Sequence, residues 1–140
     1  MVGHRYTDIA LHLIWSTWDR LPLITPDIEL HIYRALHAKC SALKCQPLAI
    51  GGVADHVHVL LDLAPTIAIA KVVADLKGSS SHLIAQQVAP DRFFRWQRSY
   101  SAFAVCRDAR NTVRDYILNQ KHHHGLGTIQ VALEQRTSES

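Results

Sequence analysis

A chain of 140 residues, 48% hydrophobic and 19% charged, can bury one ordinary core, and the composition excludes disorder, collagen-like repeats and a disulfide scaffold. Its apolar runs are short and interrupted, and the start MVGHRYTDIA lacks a hydrophobic export segment, so no membrane span is expected. A cytoplasmic protein is expected, with its three cysteines (Cys40, Cys45 and Cys106) reduced. The net charge of +3 is uneven: residues 92–121 hold seven Arg or Lys against two Asp, a local +5, and the remainder sums to −2. Such a segment reads either as an electrostatic footprint for phosphate or as a solvated helix face.

In chain order, Tyr6 to Trp15 alternates, with Ile9, Leu11, Leu13 and Trp15 on one side of a strand. Thr25 and Pro26 supply an N-cap and a first-turn proline for a helix whose Ile28, Ile32, Leu36 and Leu43 recur to about Lys44. After Pro47 the run LAIGGV is extended, and Gly51-Gly52 permits a bend or a close backbone approach. HVHVLLDL then has period two, with Val57, Val59, Leu61 and Leu63 on one face and His56, His58, Leu60 and Asp62 on the other. Pro65 and Thr66 open a second helix with a stripe of Ile69, Val73, Leu76 and Leu83, weakened by LKGSSS in its middle. FFRWQRSYSAFAV suits one or two strands, and a last helix runs from about Asp108 to His123, stopped by Gly125 and Gly127. The tail from about residue 128 is expected to fray.

No internal repeat or linker interrupts the chain, so residues 1–140 read as one domain. The order β-α-β-β-α-β, followed by a further strand and a C-terminal helix, predicts an α+β fold: a ferredoxin-like (split βαβ) antiparallel sheet with both helices on one face.

Two segments can carry chemistry. In Asp55-His56-Val57-His58 the histidines at i and i+2 of a strand share a face roughly 6–7 Å apart, and both imidazoles can reach one divalent cation. An isolated HxH is weak evidence, and two strand histidines without a metal give the same pattern. Asp55 either orients an imidazole or caps the turn into the strand. In Tyr116-Ile117-Leu118-Asn119-Gln120, Tyr116 and Gln120 share a helix face, which by itself also describes a tyrosine at the core edge beside a solvated glutamine. His122, His123 and His124 point in three directions on a helix, so at most one or two could converge with His56 and His58 on zinc.

Taken together, LHLIW, GGVADHVHVLL, LKGSSS, WQRSYSAF and YILNQKHHH resemble, in order and spacing, the HUH-type single-tyrosine transposases of small bacterial insertion sequences (the IS200-like family) and the related REP-associated tyrosine transposases. By that resemblance His56 and His58 are metal ligands, Tyr116 on the C-terminal helix is the nucleophile, and Gln120 is the third ligand. The resemblance also implies single-stranded DNA with a hairpin as substrate and a homodimer as the working unit. Lys77, Ser79, Arg95, Trp96, Arg98 and Arg114 are the expected DNA contacts. The sequence departs from the longer members after His124, where GLGTIQVALEQRTSES replaces their tail.

The chemistry is coherent. A phenol with a pKa near ~10 is a poor nucleophile at neutral pH, and a divalent ion, Mg²⁺ or Mn²⁺, polarises the scissile phosphate. Two neutral imidazoles and a neutral amide leave the ion's charge uncancelled for an anionic phosphodiester. Attack by the phenolic oxygen yields a covalent phosphotyrosine, which the resemblance places on the 5′ phosphate with a 3′-OH released, and the retained phosphodiester energy makes ATP unnecessary; no P-loop appears in the sequence. Two rival readings keep the fold. One is a hairpin-binding DNA protein that has lost transposition, and the other is a metal-dependent nuclease that uses water in place of Tyr116.

Overall fold

The computed structural model describes residues 7–120. Four strands form one antiparallel sheet in the order β2-β3-β1-β4: β1 Ala10–Ser16, β2 Gln46–Val53, β3 His56–Asp62 and β4 Ser101–Val105. The helices are α1 Pro26–Ala42, α2 Ile69–Leu83 and α3 Arg110–Leu118. This is the expected ferredoxin-like arrangement. No helix among the described residues is long and apolar enough to cross a membrane.

Alternation builds the main core. Leu11, Leu13 and Trp15 of β1 and Val57, Val59 and Leu61 of β3 face α1 and α2, whose Ile28, Ile32, Leu36, Val72, Val73 and Leu76 complete one buried cluster. Each such side chain removed from water contributes roughly 1.5–3 kcal/mol. Thr25 is the N-cap of α1, as expected, with Pro26 in the first turn. The helix closes at Lys44, which takes φ 63° while the Cys45 and Lys44 amides donate to the Cys40 and Ser41 carbonyls, a Schellman ending. Cys40 and Cys45 are in this core, and burial first, then Cys45 beside it, pushes the Cys40 thiol up to about 12.

Three expectations need correction. The second helix starts at Ile69 rather than Pro65, and LKGSSS lies inside it without breaking it. The Ser79, Ser80 and Ser81 hydroxyls each donate to a carbonyl one turn back, which satisfies them within the helix. The aromatic run holds one strand, β4, and the further strand expected between it and the C-terminal helix does not form among the described residues. Residues before β4 cross the sheet end with a single antiparallel bridge between Thr17 and Trp96, and the Trp96 side chain inserts into the core. A short 3-10 turn, Arg107–Ala109, precedes α3. Ile9, expected on the core side, precedes β1 and is 40% exposed. The proposed helix end at His123, the stops at Gly125 and Gly127, the tail, and His122, His123 and His124 lie outside the described residues.

The second face of the sheet positions the site. Ala10, Ala49 and Leu60 pack against Val113 and Ile117 of α3, forming a smaller cluster. Helix α3 therefore covers the face opposite α1 and α2. Arg107 and Arg110 both pair with Asp8, just before β1, and tie the start of α3 to the sheet.

Candidate active site

The strand face that carries His56 and His58 reads as polar in sequence, yet the two side chains are buried to 1% and 0% exposure. Helix α3 packs on this face of the sheet. The rings of His56 and His58 lie 5.1 Å apart between centroids at 66°, so two imidazoles two residues apart do share one face. The Tyr116 ring meets His58 edge-on, 5.9 Å between centroids at 80°. Tyr116 and Gln120 are both buried, and the Gln120 amide nitrogen donates to the Tyr116 carbonyl at 3.3 Å.

This closeness depends on Gly51. It sits opposite His58 in the β2–β3 register, and a Cβ there would lie 2.3 Å from the carbonyl oxygen of Ile117. Only a residue without a side chain lets the backbone of α3 approach so near. Of the bend or close backbone approach that Gly51-Gly52 permits in the sequence, the structure shows the approach at Gly51.

Each histidine has a partner behind it. His56 Nδ1 is 2.7 Å from Asp55 Oδ1, so Asp55 does orient an imidazole. Asp55 is itself held: its carbonyl accepts from the Thr17 amide and hydroxyl, and Arg20 approaches its carboxylate at 3.5 Å. His58 Nδ1 lies 2.8 Å from Nε2 of His12, a buried histidine of β1. His12 was missed from sequence. Its signal was present in LHLIW, where Leu11 and Leu13 face the core and His12 must face the other way.

The donor chemistry fits a divalent cation. With Nδ1 of both imidazoles directed to Asp55 and His12, Nε2 is the nitrogen that each can offer. Gln120 turns its amide nitrogen toward the Tyr116 carbonyl, and its amide oxygen is the side-chain atom with ligand chemistry. Among the described residues no three His, Cys, Asp or Glu side chains are arranged to hold a metal ion. Gln120 also lines a cavity of about 220 Å³ with Tyr33, Gly51, Gly52 and Asn119. The Tyr33 hydroxyl donates to Glu29 at 2.8 Å, and burial, then that carboxylate, raises its phenol far above the ordinary range.

The expected DNA contacts separate. Arg98 and Arg114 are exposed, the latter 3.4 Å from Asp115. Arg95 is exposed and lies over the Trp18 ring at 4.2 Å. Trp96 is placed otherwise than expected: it is 6% exposed, edge-on to Trp15 and Phe94, with its indole N–H donated to Ser80, so its ring belongs to the core. Lys77 is half-buried and donates to the carbonyls of Gln97 and Ser99, and burial lowers its ammonium to about 8; it fastens the loop before β4. Ser79, also half-buried, donates within α2. Within the basic segment, Arg92, Arg107 and Arg110 are paired with Asp27 and Asp8, which reduces the charge available to phosphate.

A family model described as "Transposase IS200 like" matches residues 5–120. The transposases for insertion sequence element IS200 of Salmonella typhimurium and Salmonella typhi are each 30% identical over 131 residues, covering 90% of this chain and 86% of theirs. Among solved structures, a candidate transposase of Deinococcus radiodurans R1 superposes with a TM-score of 0.62 at 24% identity, over 86% of this chain and 96% of that one. A REP-associated tyrosine transposase bound to a REP hairpin gives a TM-score of 0.64 at 15% identity, over 89% of this chain and 75% of that one. At these identities the two structures speak to the fold.

Proposed function

The chain belongs to the IS200-like transposase family, and from that premise we propose that it cleaves and rejoins single-stranded DNA through a covalent 5′-phosphotyrosine on Tyr116. In this reading His56, His58 and Gln120 hold a divalent cation, Mg²⁺ or Mn²⁺. The observation that carries the proposal is the edge-on packing of Tyr116 against His58 in one buried layer between α3 and the sheet. The ring that Tyr116 meets belongs to one of the two strand histidines that an HxH metal site would use.

When bound, the cation would polarise the scissile phosphate and stabilise the charge that develops on its oxygens. The chain supplies the rest. Tyr116 forms the new oxygen–phosphorus bond and gives up its phenolic proton. The 3′ oxygen leaves with the electron pair of the broken bond and takes up a proton. Rejoining runs the same exchange backwards with another 3′-OH, so the bond energy is conserved. Asp55 and its anchors Thr17 and Arg20 keep the His56 ring in one orientation. Helix α3, clamped through Asp8 and seated on Gly51, sets the height of Tyr116 above the sheet. Exposed Arg95, Arg98 and Arg114 are the cations for the phosphate backbone, and a hairpin is the substrate form inferred from the REP-hairpin relative. Two cut ends require two tyrosines, hence a homodimer.

Trapping tests this. Incubation of the chain with single-stranded DNA from the flanks of its gene and Mn²⁺ should give a slower-migrating covalent species on a denaturing gel, with the nucleotide mapped to the peptide containing Asp115-Tyr116-Ile117. Tyr116→Phe should fold and bind DNA but form no adduct. Cleavage without an adduct would establish the water-using nuclease, and binding without cleavage the hairpin-binding protein. An adduct on Tyr33 or Tyr100 would overturn the assignment of the nucleophile.

A further inference from the structure

We propose that His12 is a positioning residue for the metal site: its Nε2 accepts a hydrogen bond from His58 Nδ1–H, and so fixes the His58 tautomer that presents Nε2 to a divalent cation. The inference rests on the metal reading above and adds to it a residue outside the HxH and tyrosine motifs.

Three observations carry it. The two nitrogens are 2.8 Å apart, between side chains exposed to 1% and 0%, where an imidazole nitrogen facing a neighbour must share a proton with it. The centroids are 5.0 Å apart while the facing nitrogens are 2.8 Å apart, so the rings meet edge to edge along the line a linear N–H···N bond needs, with 28° between their planes. The strand register brings the two rings within reach. His12 lies opposite Leu60 and Ile14 opposite His58, so His12 and His58 are diagonal neighbours on one face, and Phe103, opposite His12 on β4, flanks the ring from the other side at 6.5 Å.

The direction of the bond follows from the chemistry. One proton lies between the two nitrogens. If His58 coordinates through Nε2, that nitrogen must carry a lone pair, and the proton of the neutral ring is on Nδ1. His58 is then the donor and His12 the acceptor, with the His12 proton on its own Nδ1. The arrangement mirrors Asp55 behind His56, with one difference: a neutral imidazole brings no negative charge. One ligand is backed by a carboxylate and the other by a ring, so both tautomers are fixed while the cation keeps more of its charge for a phosphodiester.

The test uses the full chain without DNA, at about pH 8, above the ordinary imidazole range. Two variants separate the roles: His12→Phe keeps a flat ring and removes the acceptor, whereas His12→Gln puts an amide oxygen where Nε2 stands. Nitrogen-15 NMR reads the His58 tautomer, and calorimetry reads Mn²⁺ affinity. The expected result is an Nδ1–H tautomer at His58 in the wild type, and its loss in His12→Phe with 10–100-fold weaker Mn²⁺ binding. His12→Gln should recover most of both. A wild-type His58 protonated on Nε2 overturns the inference, and that measurement decides even if His12→Phe fails to fold. So does a His12→Phe chain that binds Mn²⁺ like the wild type while His56→Ala does not, and that outcome leaves the metal reading intact. A wild type with the Nδ1–H tautomer that binds no Mn²⁺ overturns the metal reading, and the positioning role with it.

Discussion

Replacing Gly51 by alanine adds one methyl group at the point where α3 touches the sheet. The new Cβ would stand 2.3 Å from the Ile117 carbonyl oxygen and 3.2 Å from its carbonyl carbon and Cγ2, against 3.4–4 Å for ordinary contact. The obstructing atom is backbone, which cannot swing aside as a side-chain tip would, so α3 has to lift by about 1 Å. Forcing such a shift in a packed interior costs about 1–3 kcal/mol. Tyr116 precedes Ile117, so its ring must move relative to His58, and a misplacement of that size at a reacting group costs on the order of 10²-fold in rate. Gly78→Ala is the matched control: apart from its chain neighbours and the backbone of its own helix no atom lies within 4 Å of its Cβ position, and Gly78 is exposed within α2. An alanine there should stabilise the chain by roughly 0.5–1 kcal/mol through helix propensity. Urea denaturation and single-strand cleavage of both variants test the reasoning together. A Gly51→Ala chain with wild-type stability and wild-type cleavage would refute the seating of α3 on β2.

The histidines give a second expectation. Because His56 and His58 are buried beneath α3, their alanine variants should lose Mn²⁺ binding and cleavage, and should also be destabilised by about 1–3 kcal/mol; full activity after chelation would dismiss the metal site. Asp27 is held at about 2, first by its hydrogen bond from Arg92 and then by that from Thr25, so its contribution to stability is present above the usual 3.8 and lost as pH falls through about 2. An NMR titration should show the Asp27 midpoint return toward 3.8 in Arg92→Ala, and an unmoved midpoint would exclude the pair as its cause. Light scattering at micromolar concentration should report a dimer of the 15.7 kDa chain, and a monomer with and without DNA would oppose the two-tyrosine scheme.

Elements ruled by one dominant periodicity were legible in the sequence. The alternation in HVHVLLDL put Val57, Val59 and Leu61 on the helix side and the two histidines on the other, and the structure keeps that division. The four-residue step from Tyr116 to Gln120 likewise put both side chains on one helix face, and the structure buries both. Burial of the histidine face was not legible, because polarity in one strand says nothing about what lies across it. Helix α3 reaches that face with only Val113, Tyr116 and Ile117 buried, too short a stripe for a pattern argument to dock.

Trp96, Lys77 and His12 share a different cause. Each has its partner far along the chain: Ser80 for the Trp96 indole, the Gln97 and Ser99 carbonyls for Lys77, and His58 for His12. A basic and aromatic segment therefore looked like a DNA surface, although the tryptophan had a hydroxyl waiting in α2 and the lysine had two carbonyls to fasten. For His12 the missing knowledge was a single pairing. Once β1 lies beside β3 with His12 opposite Leu60, the alternation already visible in LHLIW and HVHVLL puts the third histidine on the same face as the other two. Composition and motif spacing thus locate groups that act through their own chemistry, such as a nucleophile or a ligand. A group that acts by orienting another becomes visible only when strand order is known, because its role exists only in the contact.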